Sequence, residues 1–150
     1  MNSIVNYPER GKGGSSSWRG NCSPILISDL INQYRPKLFC DPMKGSDTSG
    51  DVCRQMGIDY RGLDLYEKFD ARTGELPISP DLLFMHPPYH SIIFYSGEVW
   101  GQEPDPRDLS RCPDYVTFIS RLNETTRNMY DQIRNGGILA VLVGQVRKAG

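Results

Sequence analysis

The sequence predicts an α/β domain, a mostly parallel sheet flanked by helices, and three observations carry that prediction. Short apolar runs at Leu38-Phe39-Cys40, Leu82-Leu83-Phe84-Met85 and Ile138 to Val143 have the length and residue types of buried strands. Stretches with apolar residues at helical spacing separate them, the alternation expected of a parallel sheet. Two of the runs lead straight into glycine- or proline-bearing turns, Asp41-Pro42-Met43-Lys44-Gly45-Ser46-Asp47-Thr48 and His86-Pro87-Pro88-Tyr89.

The elements follow in order. Residues 1–20 are rich in glycine, serine and charge, with Gly11-Lys12-Gly13-Gly14-Ser15-Ser16-Ser17 at their centre, and bury too little to order themselves. They are expected to form a flexible arm ahead of one domain at 21–150, and Arg10, Lys12 and Arg19 either touch phosphates or are simply solvated. Ser23 can cap a helix that Pro24 opens, with Leu26, Ile27, Leu30, Ile31 and Tyr34 as its apolar stripe ending before Pro36. After the first strand a helix is expected from Ser49 to Met56, closed by Gly57, then a strand from Tyr60 to Leu65. The polar, proline-bearing segment from Ser96 to Pro113 reads as a long loop, either a lid or a plain surface connection. Tyr115, Phe118, Ile119, Leu122, Met129, Tyr130 and Ile133 recur at helical spacing and stop at Asn135-Gly136-Gly137, before the last strand.

With 38% hydrophobic residues, 150 positions can enclose one core and little more. A formal charge of −1 provides no overall basic footprint, so nucleic-acid binding would need a local patch or further protein. Cys22, Cys40, Cys53 and Cys112 form no Cys-x-x-Cys pair, and the N-terminus lacks the apolar core of a secretory signal, so reduced thiols and a cytoplasmic location are expected. No apolar stretch approaches the roughly 20 residues that span a bilayer.

Both turns are expected at strand carboxyl ends, where open α/β sheets bind ligands. In Gly45-Ser46-Asp47-Thr48-Ser49-Gly50, Asp47 takes the place of the glycine that lets a backbone approach a pyrophosphate, which argues against a dinucleotide. A zwitterionic or cationic ligand is less penalised. S-adenosylmethionine is of that kind, with Asp41 available to its ammonium and Asp64, roughly 20 residues past the turn, to its ribose hydroxyls. At the second turn, two prolines stop strand pairing and leave rigid outward carbonyls, and the Tyr89 ring offers a plate. That combination suits a flat group gripped on its face and hydrogen-bonded at its nitrogen.

Asp41-Pro42-x-x-Gly45-Ser46-x-Thr48 followed by Pro87-Pro88-Tyr89 resembles the paired motifs of the adenine-N6 and cytosine-N4 DNA methyltransferases. The segment Arg19-Gly20-Asn21-Cys22-Ser23-Pro24 ahead of them is similar to the family's gamma order, and the resemblance spans roughly residues 18 to 147. It implies a Rossmann-like S-adenosylmethionine-dependent methyltransferase fold and methyl transfer to an exocyclic amine of a base flipped out of DNA, as in a restriction-modification or defence system. It implies that Tyr89 stacks on the base while residue 86 and the Pro87 carbonyl, beside Pro88, accept from the amine. Asp41, Met43, Gly45, Ser46, Thr48, Asp64 and Leu65 would line the donor pocket, Asp70 would meet the donor's adenine amine, and Asn21 and Ser23 would close it. Ser23 reads equally as a helix cap and Asp70 as a solvated loop acid. A homodimer or a separate specificity subunit would complete the assembly. The family's sheet continues with a hairpin and a recognition region that Gly144 to Gly150 cannot hold, so a fragment truncated before its last strands is expected.

Two positions depart from the family pattern. His86 stands where Asp, Asn or Ser is usual, and can accept only while neutral, so activity should fall in acid. Asp47 stands for a glycine; it tolerates left-handed backbone, but its charge would repel the donor's carboxylate. A glutamine-modifying protein methyltransferase and a catalytically silent nucleic-acid-binding or assembly module are the alternatives. Methylation at cytosine C5 would need a Pro-Cys nucleophile that is not present, and His86 and His90 do not make a zinc pair across two prolines.

Overall fold

The computed structural model describes residues 2–144. Ser23 opens the first helix: its hydroxyl accepts from the Ile25 amide at 3.2 Å, and Pro24 occupies the first turn, where an amide would have no partner. Helix α1 (Pro24–Tyr34) buries Leu26, Ile27, Leu30 and Ile31, whereas Tyr34 is 43% exposed and stands outside the expected stripe. Strand β1 (Leu38–Asp41), helix α2 (Thr48–Met56), strands β2 (Asp59–Gly62) and β3 (Leu82–Met85), helix α3 (Tyr115–Tyr130) and strand β4 (Ile138–Val141) follow. Gly57, at φ 68°, closes α2 as expected.

Two strands are shorter than their apolar runs. β2 ends at Gly62 because Leu63 donates to the Asp41 carbonyl and Asp64 then caps a short 3-10 turn, accepting from the Tyr66 amide. β4 stops at Val141, with one further bond from the Leu142 amide to the Met85 carbonyl, since past Met85 the prolines remove the donors a ladder requires.

The four strands form one all-parallel sheet in the order β2-β1-β3-β4. Alternation sorts their side chains between two faces. Phe39, Leu82 and Phe84 pack with α1 and with Val52 and Cys53 of α2. Cys40, Leu83 and Met85 pack with Met129 of α3, Ala71 and Leu76. Every residue of β3 is buried, which explains why its sequence is an unbroken apolar run. The chain leaves β1 through α2 to reach β2 on one side, then returns to lay β3 on the other. Connections therefore diverge between β1 and β3, and a crevice opens at their carboxyl ends.

Residues 2–22 contain no helix or strand, yet they lie against the domain. Tyr7 donates to Asp29 at 2.7 Å, the Gly14 amide to Asp51 at 2.8 Å, and the Ser15 amide to the Ser46 hydroxyl at 3.3 Å. Among the described residues, no helix is long and apolar enough to cross a membrane.

Candidate active site

The turn after β1 is built by its own carboxylates. Asp41, 3% exposed, accepts from the Met43 amide at 3.0 Å and from the Ser49 hydroxyl at 2.6 Å, and burial pushes its carboxyl up to about 7. Gly45, at φ 50°, lets the chain reverse, and its amide donates to Asp64 at 2.9 Å, tying the tips of β1 and β2 together. Burial also raises the Asp64 carboxyl, against the pull of the amides it accepts from.

Asp47 does not present its charge to a ligand, contrary to the expectation from sequence. It takes φ 65° at the start of α2, as its tolerance of left-handed backbone predicts. Its carboxylate folds back over Gly50, where a Cβ would lie 2.5 Å from its oxygens. There it accepts from the Tyr60 hydroxyl at 2.7 Å and pairs with Arg54 at 3.2 Å.

A cavity of about 110 Å³ occupies the crevice between β1 and β3. Asp41, Met43, Gly45, Ser46 and Thr48 line it from the first turn; Asp64, Leu65 and Asp70 from beyond β2; His86 and Pro88 from beyond β3. Asn21 lines it too, but its side chain is spent on the arm, donating to the Ser15 and Trp18 carbonyls at 2.6 and 2.7 Å and accepting from Arg10 at 3.1 Å. Ser23 is not among its lining residues: it caps α1 and donates to the Arg10 carbonyl at 2.8 Å. Asp70 accepts from the Arg72 amide at 2.9 Å and still reaches the wall.

A second, smaller cavity of about 40 Å³ is lined by Pro87 and Tyr89. Gly20, His86 and Tyr95 line both cavities and form the partition between them. His86 Nε2 lies 2.9 Å from the Tyr89 hydroxyl, and burial alone takes the imidazole down to about 4, so it is neutral across the physiological range. The Tyr89 ring lies against Gly144, where a Cβ would be 2.8 Å from it. His90 points elsewhere, with Nε2 at 3.2 Å from the Cys112 carbonyl and its ring on Phe118. Cys22, Cys40 and Cys53 are buried free thiols, pushed up to about 12 by burial, and are not nucleophiles.

Sequence reasoning missed the aromatic walls. Trp18 from the arm and Trp100 from the long loop both pack against Tyr66, with ring centroids 5.9 and 6.2 Å away, and both tryptophans line the larger cavity. Neither belongs to a periodic pattern; a lone tryptophan in a polar segment was the available signal. The loop itself is organised around Asp108, 2% exposed, which accepts from the amide and hydroxyl of Ser96 at 2.7 and 2.6 Å and of Ser110 at 2.8 and 2.7 Å. The Ser110 hydroxyl accepts in turn from the Tyr95 amide at 3.1 Å. The loop, taken with Tyr95 that leads into it, is thus a wall of the site, contributing Tyr95, Trp100, Arg107 and Asp108.

The larger cavity combines four carboxylates, Asp41, Asp64, Asp70 and Asp108, with flat aromatic surface, and its three cations, Lys44, Arg72 and Arg107, are already paired with Glu67, Glu124 and Asp105. Such a wall accommodates a ligand carrying an ammonium, hydroxyls and a planar ring better than a phosphate. No protein-family model, no curated protein and no solved structure matches this chain.

Proposed function

We propose that the chain is an S-adenosylmethionine-dependent DNA methyltransferase acting on the exocyclic amine of adenine (N6) or cytosine (N4). One observation carries the reading: the cavity at the β1 and β3 tips and the smaller cavity beside Tyr89 adjoin through His86, Gly20 and Tyr95. A methyl donor in the first would lie next to a planar amine in the second. In this reading the four parallel strands are the core of a Rossmann-like methyltransferase sheet.

The residues of the larger cavity suit the donor. Asp64 and Leu65 would hold the ribose, Asp70 the adenine amine, and Asp41 the ammonium, with Trp18 and Trp100, each packed on Tyr66, as apolar walls. Bound there, S-adenosylmethionine would supply a methyl carbon that an amine attacks, leaving a neutral thioether and one proton lost from the amine. Tyr89 would exchange its bond to His86 for stacking on the base. His86, with its proton on Nδ1, and the Pro87 carbonyl would accept hydrogen bonds from the amine and aim its lone pair.

Calorimetric titration with S-adenosylmethionine, followed by radiolabelled methyl transfer to unmethylated DNA and to protein extract, tests this. Donor binding with label in DNA is the expected result. Label in protein would replace it with a glutamine-type methyltransferase, and donor binding without transfer to either would leave a silent binding module.

A further inference from the structure

The strongest feature that the proposed chemistry leaves unused is Tyr95. It leads into the long loop and, with Gly20 and His86, it separates the two cavities. Its place is built rather than incidental. Its backbone amide is held by the Ser110 hydroxyl, and Ser110 is held by the buried Asp108. Arg111 reinforces the same corner, donating to the Ser96 carbonyl at 2.6 Å while its guanidinium lies over the Phe94 ring. On the other side Gly20, at φ 78°, leaves the space the phenol occupies: a Cβ there would sit 2.1 Å from the Tyr95 oxygen. Among the described residues that hydroxyl has no hydrogen-bond partner, unlike the Tyr89 hydroxyl, which is bonded to His86. A buried carboxylate accepting four hydrogen bonds, and a glycine vacated opposite, thus hold one unpartnered phenol at the junction of the cavities.

We infer that the Tyr95 hydroxyl is a direct hydrogen-bond acceptor for the target amine, sharing with His86 the proton that does not go to the Pro87 carbonyl and engaging it before Tyr89 has released His86. The inference rests on the methyltransferase reading above and deepens it. His86 carries one acceptor nitrogen, and Tyr89 engages it at 2.9 Å. The phenol supplies an acceptor that needs no rearrangement before the target arrives. Burial raises its pKa, so it remains a neutral hydroxyl rather than a phenolate. Accepting a hydrogen bond from the amine leaves electron density on the nitrogen, which favours attack, and Tyr95 is then a residue of the transfer step and not of donor binding.

The test is Tyr95→Phe, which keeps the ring, the loop and the Asp108 network and removes one oxygen. Melting temperature and the calorimetric affinity for S-adenosylmethionine should match the parent chain, while kcat for transfer to unmethylated DNA falls about tenfold, as expected for one lost hydrogen bond in the transition state. Unchanged kcat in Tyr95→Phe, with transfer by the parent chain intact, overturns the inference and leaves the methyltransferase reading standing. A fall in donor affinity with unchanged kcat also overturns it, by placing the hydroxyl on the donor side. Donor binding by the parent chain without transfer to DNA overturns the functional reading, and this inference falls with it.

Discussion

Two segments outside the α-helices and the sheet wall the same cavity, and they are held in opposite ways. The loop from Ser96 to Pro113 brings Trp100 against Tyr66, and the arm before Asn21 brings Trp18 against the same ring. The loop is organised from within, around a carboxylate that is 2% exposed and fully hydrogen-bonded. The arm is laid on from outside. Its anchors are part-buried contacts to Asp51, Ser46 and Asn21, and beneath it Arg10 Nη2 and Thr48 Oγ1 are buried without partners. A wall built on a satisfied buried charge is hard to displace, because removing any part strands the rest; a wall with orphaned polar atoms beneath it has less to lose by lifting. The loop is therefore the fixed side of the site and the arm the side with the lower cost of opening.

The largest expected effect comes from breaking the fixed wall. Asp108→Asn retains the shape but offers one acceptor oxygen to four donors, so stability should fall by roughly 2–4 kcal/mol and donor binding should be lost with it. Denaturant unfolding with calorimetry measures both; an unperturbed unfolding midpoint would mean that the network is dispensable and that the two walls are alike.

A smaller effect belongs to the floor that both walls cover. Asp41 holds its proton to about 7 in the folded chain against 3.8 in the unfolded one, so its contribution to stability is complete below 3.8 and is lost as pH rises through 7. Affinity for an ammonium-bearing donor should move the opposite way, rising with pH as the carboxylate forms, by up to about tenfold per unit below the pKa. His86 sets a separate limit: lowered to about 4, it favours folding above 6.5 and loses that contribution only as pH falls through 4. The acid loss of transfer expected from its presence is thus displaced to near pH 4, and titrations of donor affinity and of kcat should show two distinct limbs. Coincident limbs would refute separate roles.

The smallest effect is on the applied wall. Asn21→Ala removes two bonds donated to the arm and one accepted from Arg10, and should weaken donor binding about fivefold while leaving the unfolding midpoint within about 1 kcal/mol of the parent. The chain's two tryptophans are Trp18 and Trp100, so intrinsic fluorescence reads the site directly. In Asn21→Ala the Trp18 component should become more solvent-exposed and the Trp100 component should not. A change in both would show that arm and loop are held as one.

Much of this architecture was legible beforehand, and the particular elements show why. α1 announced itself through Ser23, Pro24 and a regular stripe, and β3 through an apolar run ended by prolines, because local chemistry decides both. The residues expected around the first turn do meet in one cavity for a similar reason: a strand, a tight turn and a helix in succession leave few places for their side chains. Ser23 failed as a pocket residue and held as a cap, the local role winning over the distant one. Asp47 read as a liability because its partners, Tyr60 and Arg54, are not its neighbours in sequence.

By itself, then, the sequence determined which segments become helix and strand and which turns lie at strand tips, since hydrogen-bonding periodicity, caps and prolines act over a few residues. Tertiary structure alone decided that Trp18 and Trp100 would both pack on Tyr66, that Asp108 would hold Tyr95 between two cavities, and that His86 would be neutral and bonded to Tyr89. Burial and pairing between segments far apart in the chain set those properties, and no local pattern encodes how deep a group will lie or what will face it.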